Sequence, residues 1–311
     1  MFGMRRREKK EKPPFFSTAN FKEMGGLLLL VFLIRTFGFG LYQVPSGSME
    51  TTMLVGERFF ADKFSYLFSS PKRGDIISFN DPTFNYSDDK LTRLYQNYVW
   101  GPSNWTKRVI GQPGDLVEGK IEDGKPVIYL NNKKLDEPYL NKYPLIAVYK
   151  VDPSGLFQHM TGRSIDDFWR NVTFYSYDPN KSYADQPFYR MKANRIVTGA
   201  DGKPILMWPG TPIREPQEDR QMNTQENYWD GSDVFRVQLG ENQYWCMGDN
   251  RLGSKDCRCF GPINGQLIHG KIVFLIWSLD SDESWWIFDL LKHPIDFFKR
   301  MRWSRFFKIM R

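Results

Sequence analysis

The 311-residue sequence predicts a mostly β protein: an antiparallel β body with an inserted β-rich subdomain, preceded by one N-terminal transmembrane helix. Three observations carry this. An apolar stretch lies near the start, over residues 24–44. Beyond about residue 45 no long helical periodicity appears, while Pro and Gly are spread throughout and aromatic residues make up 16%. Short β-prone runs are punctuated by hairpin dipeptides at Asp123-Gly124, Asn131-Asn132 and Asp201-Gly202.

Residues 1–23 form a basic amino-terminal segment containing Arg5-Arg6-Arg7-Glu8-Lys9-Lys10-Glu11-Lys12. Gly25 to Ile34 then reads GGLLLLVFLI, and after Arg35 the apolar character continues through Phe37, Phe39 and Leu41 to Val44. Met24 to Val44 matches the ~20 residues needed to cross a bilayer. Arg35 costs roughly 2.5–3.5 kcal/mol near a helix centre, and each residue from Leu27 to Ile34 returns about 0.3–0.6 kcal/mol. The sum is near balance or slightly favourable, and snorkelling of the arginine helps. Positive residues stay cytoplasmic, so the chain beyond Val44 is expected on the outer face of the cell's inner membrane. The alternative is a cleaved secretory signal with Gly38-Phe39-Gly40 as its small-x-small site. The long amino-terminal region, and a candidate catalytic motif a few residues later, count against it.

The first chemical segment, Val44-Pro45-Ser46-Gly47-Ser48-Met49-Glu50-Thr51-Thr52-Met53, opens the body at 45–119. The second is Trp105-Thr106-Lys107-Arg108-Val109-Ile110-Gly111, a strand closed by the turn Gln112-Pro113-Gly114-Asp115. Alternation sends Lys107 and Val109 to one face and Arg108 to the other. A lysine facing inwards loses solvation, its pKa falls, and it becomes usable as a base. The third segment, Met247 to Gly261, lies in the second part of the body, 241–284, and is dense in glycines and hydrogen-bonding side chains. Asp249, Asn250 and Asp256 offer oxygens for calcium, but the EF-hand spacing is absent and two arginines intervene, so no metal is expected. No cofactor is expected either.

Together these segments resemble the type I signal peptidase (leader peptidase) family, whose members carry Ser-Gly-Ser-Met after a membrane anchor. The family also has a Lys-Arg strand before Gly-x-Pro-Gly-Asp and a late Gly-Asp-Asn-Arg…Ser-x-Asp-x-Arg run. Arg73-Gly74-Asp75-Ile76-Ile77-Ser78-Phe79 is similar to its Arg-Gly-Asp strand. The resemblance covers roughly residues 25–120 and 244–280, and implies a signal-peptidase-like catalytic body. It implies Ser48 as nucleophile and Lys107 as general base. Ser46, with the Ser48 N–H, would bind the oxyanion, and Ser254 would orient the lysine. Asp256 and Arg258 would be a supporting polar pair. Thr51, Met53, Gly253, Cys257 and Phe260 depart from common family residues and bear on cleft shape.

The chemistry agrees with that assignment. A serine hydroxyl needs an adjacent base, and a lysine of pKa near 10.4 must be desolvated to act as one at neutral pH. A Ser-His-Asp triad is the rival arrangement, but the histidines, His159, His269 and His293, all lie outside the matching segments and read as surface or core residues. The three cysteines, Cys246, Cys257 and Cys259, cannot pair completely and read as buried free thiols.

Residues 120–240 are expected to form the inserted β-rich subdomain, and 285–311 a basic, aromatic tail. The net charge of +7 is concentrated at the two ends, which suits anionic lipid or nucleic acid. No zinc spacing, recognition helix or RNA-binding signature is present, so membrane lipid is the expected partner and nucleic acid is not. From Ile295 onwards the apolar residues spread round a helical wheel, leaving contact with lipid and packing on the body both open. The expected activity is removal of signal peptides from exported preproteins by cutting after small-x-small (Ala-x-Ala-like) sites. The alternatives are another Ser–Lys peptidase, or a membrane-tethered β-rich adaptor without catalysis.

Overall fold

The computed structural model describes residues 18–150, 171–213, 231–281 and 286–310. It opens with helix α1 (Thr18–Leu33), continued by a wider π-turn over Ile34–Gly38. Leu27 to Ile34 are exposed along it. The expected crossing helix over 24–44 is corrected here. The helical segment ends at Gly38, and Phe39–Gln43 is a strand, β1, paired antiparallel with β2 (Arg58–Asp62). Among the described residues no helix is long and apolar enough to cross a membrane. Residues 39–43 leave the helix because β2 satisfies their backbone groups, while Phe39 stacks on Phe60 and Tyr42 on Phe59. An apolar run reads alike as helix or strand from composition alone.

Beyond α1, two helices, α2 (Lys90–Tyr98) and the short α3 (Cys257–Phe260), interrupt a body that is antiparallel β up to the tail. A seven-stranded sheet has the order β1-β2-β14-β3-β4-β12-β13. Its other members are β3 (Ile76–Asn80), β4 (Asn104–Gly111), β12 (Gln243–Met247), β13 (Ile263–Asn264) and β14 (Ile268–Trp277). A four-stranded sheet, β11-β5-β6-β7, uses β5 (Leu116–Glu122), β6 (Lys125–Leu130), β7 (Lys133–Lys134) and β11 (Phe235–Gln238). The two sheets share one core, in which Ile77, Val109 and Trp245 meet Val117, Ile128 and Val237. The hairpins foreseen at Asp123-Gly124 and Asn131-Asn132 join β5 to β6 and β6 to β7. All four turn residues have positive φ, as a two-residue I′ turn requires.

A third sheet, β10-β8-β9, is built from β8 (Leu145–Tyr149), β9 (Val172–Ser176) and β10 (Leu206–Met207). It has its own apolar cluster around Ile146, Val148, Met191 and Ile196, into which Leu54 is inserted. Met49 and Met53 enter a different cluster with Phe59, Ile76 and Leu275 of the large sheet. The loop after β1 is therefore clamped between two cores.

The tail packs on the body. Helices α4 (Trp286–Lys292) and α5 (Pro294–Arg300) are joined by an Asp289–Arg300 ion pair. Lys308 O accepts from Leu275 N at 2.9 Å, and Met310 N donates to Val273 O at 2.8 Å. Arg305 pairs with buried Glu57 and donates to Thr52 O at 2.9 Å. Phe298, Trp303 and Phe307 remain exposed on its outer side.

Candidate active site

The residues foreseen at 45–53, 105–111 and 247–261 meet at one point. Ser48 lies in the turn Gly47–Met49, immediately after β1 and Val44. Its carbonyl accepts from Asn250 N at 3.1 Å, and the Gly47 carbonyl accepts from Asn250 Nδ2 at 2.9 Å. Met49, buried behind, anchors the turn to the core. Ser46, just before it, is exposed in extended backbone, and its side chain does not cap the turn.

Lys107 comes from the middle of β4, opposite Ile77 of β3. Its Nζ is 3.0 Å from Ser48 Oγ and 3.0 Å from Thr106 O. The lysine is 4% exposed, and its Nζ lies 5.6 Å from the centre of the Trp105 ring. Burial pushes its pKa down to about 8, against the Asp256 carboxylate and, after it, Cys257 and Cys246, which favour the charged form. A lysine in this state gives up its proton far more readily than one in water and can receive a hydroxyl proton near neutral pH.

The adjacent cation is buried too. Arg108 Nε and Nη2 reach the two Asp249 oxygens at 2.8 and 2.7 Å, and its guanidinium lies 4.1 Å from the centre of the Tyr139 ring. Alternation separates Lys107 from Arg108, and both faces of β4 are covered at this point. The bidentate ion pair satisfies the arginine, while the lysine is left against a neutral hydroxyl.

Behind the lysine, Asp256 and Arg258 form the foreseen pair at 2.9 Å, both fully buried. They bracket the start of the short helix α3 (Cys257–Phe260). Arg258 also binds Asp233 at 2.7 Å, and Gly248 N donates to Asp256 at 3.0 Å. Burial works against the Asp256 charge, yet the Arg258 guanidinium with these hydrogen bonds holds its carboxyl below the ordinary range. Ser254 is buried beside Gly248, and its Oγ makes no hydrogen bond to Lys107 among the described residues. Ser48 Oγ meets a lysine there and not a histidine. His269 Nε2 lies 2.7 Å from Asn104 Oδ1, His293 precedes α5, and His159 falls outside the described residues. Cys246 and Cys257 are buried free thiols, and Cys259 is a half-buried one.

Sequence weighed Asp249 and Asn250 only as oxygens for calcium, missing Asp249 as the Arg108 partner and Asn250 as the clamp on the Ser48 turn. It did not single out Glu50 at all. The Glu50 side chain is fully buried two residues after the serine. The signal open to sequence reading is an acidic residue two positions after the candidate nucleophile, in a run otherwise uncharged from Val44 to Met53.

A serine hydroxyl held against a buried, readily deprotonated lysine, with no histidine at the pair among the described residues, is the geometry of the Ser–Lys class of serine hydrolases. The family model for "Signal peptidase, peptidase S26" matches residues 18–277, and the chain belongs to this family. It is a serine endopeptidase that removes signal peptides. Signal peptidase I of Aquifex aeolicus is 28% identical over 253 residues, 81% of this chain and 81% of that protein. Signal peptidase I of Buchnera aphidicola subsp. Baizongia pistaciae is 26% identical over 275 residues, 84% of this chain and 76% of its own. That of Haemophilus influenzae is 26% identical over 308 residues, 90% and 75% respectively.

Proposed function

We propose that Ser48 is the nucleophile and Lys107 the general base of signal peptide removal, on exported preproteins cut after small-x-small sites. The 3.0 Å approach of Lys107 Nζ to Ser48 Oγ, with both residues buried, carries this reading. In its neutral form the lysine accepts the hydroxyl proton as Oγ attacks the scissile carbonyl. The resulting ammonium returns that proton to the leaving amine, and the lysine then activates water to hydrolyse the acyl-serine. The Ser48 N–H and the exposed Ser46 hydroxyl would receive the oxyanion once substrate covers them; one such donor is typically worth about 2.7–4 kcal/mol. Asp256 and Arg258 support the wall behind the lysine, and Ser254 orients it when substrate is bound.

The same reading places the enzyme at the cell's inner membrane, amino terminus cytoplasmic and β body outside. The exposed apolar face of α1 supports insertion into lipid, and the basic residues before it support that orientation. Incubating detergent-solubilised protein with a preprotein tests the chemistry. Wild type is expected to cleave, and Ser48→Ala and Lys107→Ala to be inactive. Equal cleavage by all three would sink the dyad.

A further inference from the structure

Glu50 is completely buried, and its carboxylate folds back beneath the nucleophile turn: a Cβ placed on Gly47 would lie 3.0 Å from Oε1. Three donors converge on it. Ser176 N–H and Ser176 O–H reach Oε2 at 2.9 and 2.6 Å, and the Tyr189 hydroxyl donates to Oε1. That hydroxyl also accepts from Val55 N at 2.8 Å, so one tyrosine holds both ends of the stretch 50–55. Ser176 Oγ in turn accepts from Asn141 Nδ2 at 2.9 Å, and Asn141 N donates to Asp249 O at 3.0 Å. Asp249 grips Arg108, the neighbour of Lys107, with both oxygens.

The bonds thus form a path from the residue beneath the nucleophile, through the last residue of β9, to the residue beside the base. We propose that Glu50 and Ser176 are positioning residues of the peptidase, and that through this path the β8-β9-β10 sheet sets the approach of Ser48 to Lys107. The proposal rests on the Ser48–Lys107 reading above. Burying a carboxylate is costly unless donors surround it, and here the two Ser176 donors come from a different sheet than the base. Thr52 adds a shorter tie, its hydroxyl donating to Asp249, and Asn250 Nδ2 holds the Gly47 carbonyl from the same segment. Glu50 reaches Gly47 from the side of β9, beside the Phe174 carbonyl, which a Cβ on Gly47 would meet at 3.6 Å. A small tilt there matters, since proximity effects in catalysis are lost over about 1 Å of misplacement.

The test uses the full chain in detergent with a preprotein substrate, measuring kcat and KM together with thermal unfolding. Ser176→Ala removes the hydroxyl that links Glu50 to Asn141, and Glu50→Gln puts an amide where three donors converge. Each is expected to lower kcat about 10- to 100-fold with KM within twofold of wild type, at a temperature where the variant is fully folded. Ser176→Thr, which keeps the hydroxyl, is expected to restore kcat to within threefold. Wild-type kcat in folded Ser176→Ala overturns the proposal, as does a loss that merely follows the unfolded fraction. Residual cleavage by Ser48→Ala would instead overturn the dyad beneath it.

Discussion

Arg108 clasps Asp249 through two parallel hydrogen bonds, 141 residues apart in sequence, on the strand position next to Lys107. The clasp joins β4 to the segment after β12 that also holds the Ser48 turn. Breaking a buried ion pair from one side strands the other charge, at a cost of about 3–5 kcal/mol. Asp249→Ala is therefore expected to lower the stability measured by urea denaturation by about that amount. An effect below ~1 kcal/mol would mean that water replaces the carboxylate at Arg108 without strain.

The buried lysine sets the pH dependence. Only its neutral form accepts the Ser48 proton, so kcat/KM is expected to rise with pH and level off above an acidic limb near 8. The sign for stability follows from the same shift. Between about 8 and the unfolded value near 10.4, the unfolded chain holds a proton that the folded lysine has lost, so this group's penalty on folding shrinks as pH rises through that window. A pH–rate profile with its acidic limb at 6 or 10 would contradict this assignment of the base.

Gly248 has no room for a side chain. A Cβ there would stand 2.3 Å from Ser254 Oγ and 2.4 Å from the Ser48 carbonyl oxygen, and the second contact is backbone. Gly248→Ala is expected to reduce cleavage at least 100-fold by displacing Ser48, with a stability loss of about 1–3 kcal/mol from overpacking. Full activity in this variant would show that the Gly248 segment can retreat from the nucleophile.

The tail is expected to be needed for stability. Arg305 neutralises Glu57, which is fully buried, and donates to the Thr51 and Thr52 carbonyls. Arg305→Ala leaves that carboxylate unpaired at a cost of about 3–5 kcal/mol. Differential scanning calorimetry would report it as a clear drop in Tm, larger than for Lys299→Ala on the exposed face of α5.

Much of the body is legible in the sequence because its signals are local. Asp123-Gly124 and Asn131-Asn132 declare their turns since few other pairs accept positive φ twice in succession. Lys107 and Val109 follow from strand alternation. The apolar run ending at Val44 misleads, because β1 keeps Phe39 and Leu41 exposed and its apolar pattern matches that of a lipid-facing helix. The burial of Arg108 is hidden as well, for its carboxylate partner lies across the fold. The β8-β9-β10 sheet is assembled from residues 145–149, 172–176 and 206–207, each too short to announce its neighbours. The approach of Ser48 to Lys107 spans 59 residues without any period, and motif order alone points to it.

The loop bearing Ser48 sends Met49 and Met53 into one apolar cluster and Leu54 into another. Such a loop has no low-energy route to local opening, because fraying it would expose both clusters to water at once. Its amides are expected to exchange with deuterium only at the rate of global unfolding, unlike those of an ordinary surface loop. Thermal inactivation and loss of tertiary structure then coincide as a single event, and a partly melted enzyme retaining a disordered catalytic serine would not accumulate.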